Sequence, residues 1–371
     1  MFHAKTLAPA FARVVPKDDK EGYNIMIDYI EHTWSLQHIH RSDITGADVS
    51  EFQRSTYFIP NLELALIPRA VVTKGSKLIG KGAYGKVKQV TYRGGVFAVK
   101  ITDTSLIPTD DKKDLTSDYI RELSIIKSLD HPNVISVKFI TEDLKCMFMD
   151  LAMGDLNWWL EKNGPMNNEM QLDIATQMFD ALSYIHNMGC LHRDIKPQNI
   201  LVYRRQNRNI LFVLSDFGSG RGTEIALKNN AYSTYVGTLK YRSPELLLGS
   251  SYYGAGVDTW SMLCTMYECA TGKQLFEGDS ELSQIRRIFR VTGTPREKPD
   301  KMNIYPVWSG VTSLPDWPVS IPKFVPEHTV FTIDKRLSDC YKYLFKIGMI
   351  LDPSKRPSSA DIAAVIRNCT L

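Results

Sequence analysis

The stretch GKGAYGKVKQVTYRGGVFAVK, residues 80–100, decides between two folds that share a glycine signature. Gly80, Gly82 and Gly85 stand in a G-x-G-x-x-G spacing that dinucleotide-binding domains also use, and those domains follow the glycines at once with a helix. Here KVKQVTY follows, rich in β-branched residues, and Arg93-Gly94-Gly95 turns the chain into VFAVKI. The pattern therefore predicts a hairpin of strands. Glycines without side chains let backbone amides approach phosphate oxygens; an ordinary glycine-rich hairpin is the plain alternative.

Outward from the hairpin, strand alternation puts Val96, Ala98 and Lys100 on one face. A lysine there calls for an anion, unless it snorkels from a sheet edge. The helical pattern at about 113–129 supplies one. In DYIRELSIIKSL, Glu122, Ile126 and Leu129 share a stripe, so a carboxylate heads an otherwise apolar face. Further on, the octet HRDIKPQN at 192–199 packs one carboxylate among cations and amides, and Asp216 follows the apolar run ILFVLS. Asn199 and Asp216 are oxygen donors of the kind that suit magnesium, which keeps several waters and takes few protein ligands.

With 371 residues, 43% of them hydrophobic, the chain is long enough for two lobes. Short β-rich runs fill 74 to about 150, and after 153 the apolar period becomes 3.6, as in Leu172, Ala175, Phe179, Leu182 and Ile185, closed by Gly189. Residues 296–330, with six prolines, read as an irregular insertion. A net charge of +4 spread over the chain implies no direct nucleic-acid or membrane-surface partner. The six cysteines show no C-x-x-C pair and suit buried, reduced thiols, hence an intracellular protein, cytoplasmic or nuclear. No apolar stretch approaches a membrane span, and LAPAFA near the N-terminus is too short for a signal peptide. Residues 1–73, with Trp34 and the His32, His38, His40 patch, read as an extension of unknown role, because no partnering Cys or carboxylate spacing supports a metal site there.

GKGAYGKV, FAVK, YIRE, HRDIKPQN, DFG, SPE and VDTW occur in the order and at the spacing of eukaryotic protein kinases, and the chain resembles that family over about residues 74–368. The resemblance implies an α+β bilobal protein kinase fold: a small β-rich N-lobe with one key helix (74–152, hinge included) and a larger, mainly α-helical C-lobe (153–371), with an insertion at about 293–335. It implies ATP and Mg2+ as cofactors. By the same resemblance Asp194 accepts the proton of the substrate hydroxyl, Lys196 balances charge on the γ-phosphoryl, Asn199 and Asp216 hold magnesium, and Lys100, paired with Glu122, grips the α- and β-phosphates. The nucleotide-binding residues implied are Ile79, Gly80, Lys81, Gly82, Ala83, Tyr84 and Gly85 of the glycine loop, then Val87, Ala98 and Leu201 around the adenine. Met149 takes the gatekeeper place before the hinge Asp150-Leu151-Ala152, and Asp155 joins the same set.

Among kinases, SDYIRELSIIKSLDHPNVI, TLKYRSPELLLGSSYYGAGVDTWS and GDSELSQIRRIFRVTGTP look like the CMGC group and its cyclin-dependent kinases, with glycogen synthase kinase 3-like and MAP kinases as neighbouring patterns. Protein Ser/Thr hydroxyls, with a following proline, are the substrates implied, and a cyclin-like protein or the 1–73 extension the activator. A pseudokinase or scaffold is the rival reading, and such proteins commonly lack a residue of the set Lys100, Glu122, Asp194, Asn199 and Asp216. Arg121, Arg193 and Arg221 match the family's clamp for a phosphorylated activation-segment residue, here Ser233 or Thr234. Tyr84 matches an inhibitory phosphorylation site, with Ala83 where threonine is frequent. Glu245 matches the partner of Arg356, and Asp258 the brace of the catalytic loop. Gly237, Thr238 and Arg242 match the substrate-binding segment, but valine and tryptophan usually stand where this chain has Gly237 and Lys240, and SDYIRE departs from the usual cyclin-contact helix.

Overall fold

The computed structural model describes residues 65–369 apart from 73–75, 83–84, 103–116, 144, 206–208, 223–235, 303, 319, 328–330 and 332. The chain divides into two compact units, one of residues up to 130 with 135–152, the other of 131–134 with 153–371.

Among its described residues, the first unit is a sheet with one α-helix. Its strands are β1 (Ala65–Ile67), β2 (Lys77–Gly82), β3 (Gly85–Tyr92), β4 (Gly95–Thr102), β5 (Phe139–Thr141) and β6 (Cys146–Asp150), and helix α1 (Ser117–Ser128) lies between β4 and β5 in sequence. Across the sheet the order is β1-β5-β6-β4-β3-β2, antiparallel except for β1, which runs parallel to β5. The β3–β4 turn contains Arg93 (φ 49°) and Gly94 (φ 78°), and Gly95 already belongs to β4 opposite Tyr92. Two successive positive φ values match the right-handed twist of the flanking strands. Val90, Val99, Cys146 and Phe148 are buried on one side of the sheet with Ile67 and Val72, and Phe97, Phe139 and Phe148 meet edge to face. Because β1 and Val72 belong to this layer, the sheet begins ahead of residue 74.

The second unit is mainly helical. It contains β7 (Gly154–Asp155), α2 (Leu156–Asn163), α3 (Asn168–Asn187), β8 (Cys190–Leu191), β9 (Ile200–Arg204), β10 (Ile210–Leu214), β11 (Arg221–Gly222), α4 (Pro244–Leu247), α5 (Gly256–Thr271), α6 (Glu281–Thr292), α7 (Asp339–Gly348) and α8 (Ser359–Cys369). Strands β10, β9 and β7 form one small sheet, β11 and β8 another. From Val257 to Thr271 every residue of α5 is buried, as expected of a helix at the centre of a core. The expected stripe on α3 holds for Ala175, Phe179, Leu182 and Ile185, but Leu172 is only half-buried and Gln171 is the inward residue. The reason is polar: the Gln171 amide donates to the Met166 and Arg336 carbonyls and accepts from Ser338 N–H, so its burial leaves nothing unsatisfied. Gly189 closes the helix region with φ 67°.

The buried pair Arg356–Glu245, at 2.7 and 2.9 Å, joins α4 to the segment before α8. Between α6 and α7 the described residues form little regular structure, a bridge between Arg296 and Val307 and a short 3-10 turn at Val311–Ser313. Among the described residues no helix is long and apolar enough to cross a membrane. The Trp34 and histidine patch lies outside the described residues.

Candidate active site

In the first unit the sheet register gathers several of the expected nucleotide residues on one face of the sheet. Val87 lies opposite Lys100, and Ala98 opposite Met149, so these four side chains share a face, since directly paired residues point the same way. The result is an apolar patch with a single ammonium at its edge. Lys100 Nζ lies 2.6 and 2.7 Å from the two carboxylate oxygens of Glu122, whose side chain is 5% exposed against 16% for the lysine. Breaking so shielded a pair by removing one member costs roughly 3–5 kcal/mol. At Gly85 (φ 146°) a Cβ would stand 2.1 Å from the Ile101 carbonyl oxygen, so no other residue fits there. Gly80 meets only ordinary contacts with Val87, and Ile79 is exposed beside it. Ala83 and Tyr84 lie outside the described residues, as does the side chain of Lys81.

In the second unit everything converges on the Asp194 carboxylate. Its Oδ1 accepts from Thr238 N–H and Thr238 Oγ1 at 3.0 and 2.9 Å. Its Oδ2 accepts from Lys196 Nζ at 2.7 Å and Asn199 Nδ2 at 3.1 Å. Lys196 Nζ also reaches Thr238 Oγ1 at 2.8 Å. An alcohol thus already donates to this carboxylate, and an ammonium stands beside it. From beneath, buried Asp258 on α5 accepts from the His192 and Arg193 amides at 2.8 and 2.7 Å, which sets the loop while Arg193 holds φ 66°. Burial pushes the Asp258 carboxyl up, but the bond and charge of His186 and the His192 contacts outweigh it and hold the group below the usual carboxylate range.

The same loop is tied to the segment of Asp216. Ser215 donates from its amide and hydroxyl to the Asn199 carbonyl at 2.9 and 3.0 Å. The His192 ring meets the Ser215 carbonyl at 2.9 Å and packs edge-on against Phe217. Asp216 itself is left-handed, φ 64°, a conformation Asp tolerates better than most residues. Asn199 spends its Nδ2 on Asp194, which commits its other terminus, the oxygen, as the atom for a cation. An amide oxygen and a carboxylate from adjoining segments are the hard donors magnesium takes, so the residues fit that ion. Leu201 and Asp155 are register partners in the β9–β7 ladder. Asp155 also caps α2 by accepting from Trp158 N–H at 2.8 Å.

Around this centre Gly237 (φ 76°) lies so close that a Cβ would stand 2.7 Å from the Arg193 carbonyl oxygen. Its own carbonyl accepts from Arg242 at 3.0 Å, and Arg242 also pairs with Glu281 at 2.6 Å. Lys240, where tryptophan is usual, donates to Gln274 and leaves the Arg242 contacts in place. Arg193 reaches Ser219 O and the Tyr253 hydroxyl. Burial pushes the Tyr253 hydroxyl up, while Arg193 and Arg221 pull it down. Tyr253 was not legible in the sequence, since nothing in SSYYG singles it out. Ser233 and Thr234 lie outside the described residues, as does the Arg121 side chain.

In a comparison with family models, the model described as the protein kinase domain matches residues 73–365.

Proposed function

This chain belongs to the protein kinase family, and from that membership we propose that it is an active serine/threonine kinase of the CMGC group, similar to cyclin-dependent kinases and proline-directed. The observation that carries the reading is the Asp194 carboxylate held by Thr238, Lys196 and Asn199.

The transfer asks little covalent chemistry of the protein, which positions phosphates and offsets their charge. Lys100, fixed by Glu122, grips the α- and β-phosphates of ATP, while the apolar face of Val87, Ala98 and Met149 takes the adenine. Asn199 and Asp216 would hold magnesium, which when bound shields the phosphate charge. Asp194 takes up the proton of the acceptor hydroxyl in the place where Thr238 Oγ1 now donates, and Lys196 stands over the oxygens that gain charge. The lysine at 196 and Thr238 match the serine/threonine pattern.

Proline preference follows from Gly237. Its carbonyl is turned toward Arg242, and a proline after the acceptor, which has no N–H to satisfy, loses nothing beside it. Phosphorylation of Ser233 or Thr234 draws Arg121, Arg193 and Arg221 together, and Tyr84 serves as a brake. A cyclin-like protein or the N-terminal extension acts on α1 and its Glu122. The free thiols suit an intracellular site of action, cytoplasmic or nuclear.

The test is a set of matched peptides with ATP and magnesium. Ser-Pro and Thr-Pro peptides are expected to be phosphorylated at least tenfold faster, by kcat/KM, than the Ser-Ala peptide, a gap of about 1.4 kcal/mol, and a Tyr-Pro peptide not at all. Equal rates with Pro and Ala remove the proline assignment; tyrosine phosphorylation removes the serine/threonine one.

A further inference from the structure

Helices α7 and α8 bring together two thiols that phosphate transfer does not use. At Gly348, the last residue of α7, a Cβ would stand 3.7 Å from Ile362 Cδ1 in the first turn of α8. From that contact α7 runs back to Cys340 and α8 runs forward to Cys369. At about 1.5 Å per residue both cysteines lie roughly 10–12 Å along their helices from it, one back along the chain and one forward. Burial, then the hydrogen bond and charge of neighbouring Cys369, push the Cys340 thiol up to about 12. Cys369 is exposed and Cys340 half-buried, whereas Cys146, Cys190, Cys264 and Cys269 are buried.

We propose that Cys340 and Cys369 are a dithiol which a hydroperoxide converts to an intramolecular disulfide, tying the end of α8 to the start of α7. The exposed Cys369 sulfur attacks the peroxide: an S–O bond forms, the O–O bond breaks, and water or an alcohol leaves, giving a sulfenic acid. The Cys340 sulfur then attacks the Cys369 sulfur. An S–S bond forms, the S–O bond breaks, and the hydroxyl leaves as water with the Cys340 proton, so two electrons pass from the thiols to the peroxide. Cys340 is the more shielded of the two, so the exposed Cys369 is the thiol that meets the peroxide first. This reaction stands apart from the proposed kinase activity.

The test treats the full chain with hydrogen peroxide, alkylates the remaining thiols and maps the peptides by mass spectrometry. The expected product is a peptide joining Cys340 to Cys369, two hydrogens lighter than the reduced pair and reopened by dithiothreitol. Cys340→Ser is expected to leave Cys369 as a sulfenic acid that dimedone traps, and Cys369→Ser to leave Cys340 alkylated as a thiol. Wild-type chain with Cys369 over-oxidised to sulfinic acid and Cys340 still free, or a cross-link between two chains in place of the internal one, would overturn the proposal.

Discussion

Single residues carry charges whose environment sets both chemistry and stability. Lys100 was readable as oddly placed because alternation put it on a defined strand face, and Glu122 because it headed an apolar stripe. Lys127, on the same helix as Glu122, could not be read that way. Its Nζ is buried with no partner among the described residues, and burial pulls its pKa down to about 7. In the unfolded chain the group returns to about 10.4. Between about pH 7 and pH 10 the unfolded chain therefore holds the extra proton, and stability rises with pH across that window. Lys127→Met removes the effect. Thermal melts should show the variant more stable than wild type at pH 6–7, with the gain fading toward pH 10; an equal gain at both ends would mean that titration of Lys127 is not its source.

Elements differ in how much of their geometry is local. The β3–β4 hairpin was legible because Arg93-Gly94 supplies the left-handed turn within a short window, whereas the close approach of Gly85 to the Ile101 carbonyl was not, because it depends on the register that sets Gly85 opposite Thr102. On α3 the period was right, but Gln171 displaced Leu172 from the inward stripe, since its polar partners come from residues 336 and 338, far along the chain. Gly237 is similar: its role is a close approach to Arg193 O, a contact between segments that no motif spacing records. A valine there meets the carbonyl and a left-handed backbone at once, a strain of about 1–3 kcal/mol. For Gly237→Val we expect the peptide kcat/KM to fall by roughly tenfold or more while KM for ATP stays near wild type. Unchanged peptide kinetics would remove Gly237 from the substrate segment.

At the scale of the whole molecule the two units divide the proposed labour, nucleotide residues on the first and acceptor chemistry on the second. The order of motifs made that division legible, whereas the start of the sheet was not, because ALI at 65–67 pairs with the distant FIT at 139–141. A truncated chain should therefore begin at 65 and keep β1. If the proposed activator lies in the N-terminal extension, loss of residues 1–64 is expected to lower peptide phosphorylation. Equal, full activity of both forms without a partner would exclude the extension and a cyclin-like protein alike. The central claim is that Asp194 receives the acceptor proton. Its most direct test is γ-phosphate transfer from ATP-magnesium to a Ser-Pro peptide by wild type and Asp194→Asn, with thermal melts confirming that both are folded. The account predicts a fall of about 10²–10⁴-fold in kcat for the variant; equal turnover by the two folded proteins would contradict it.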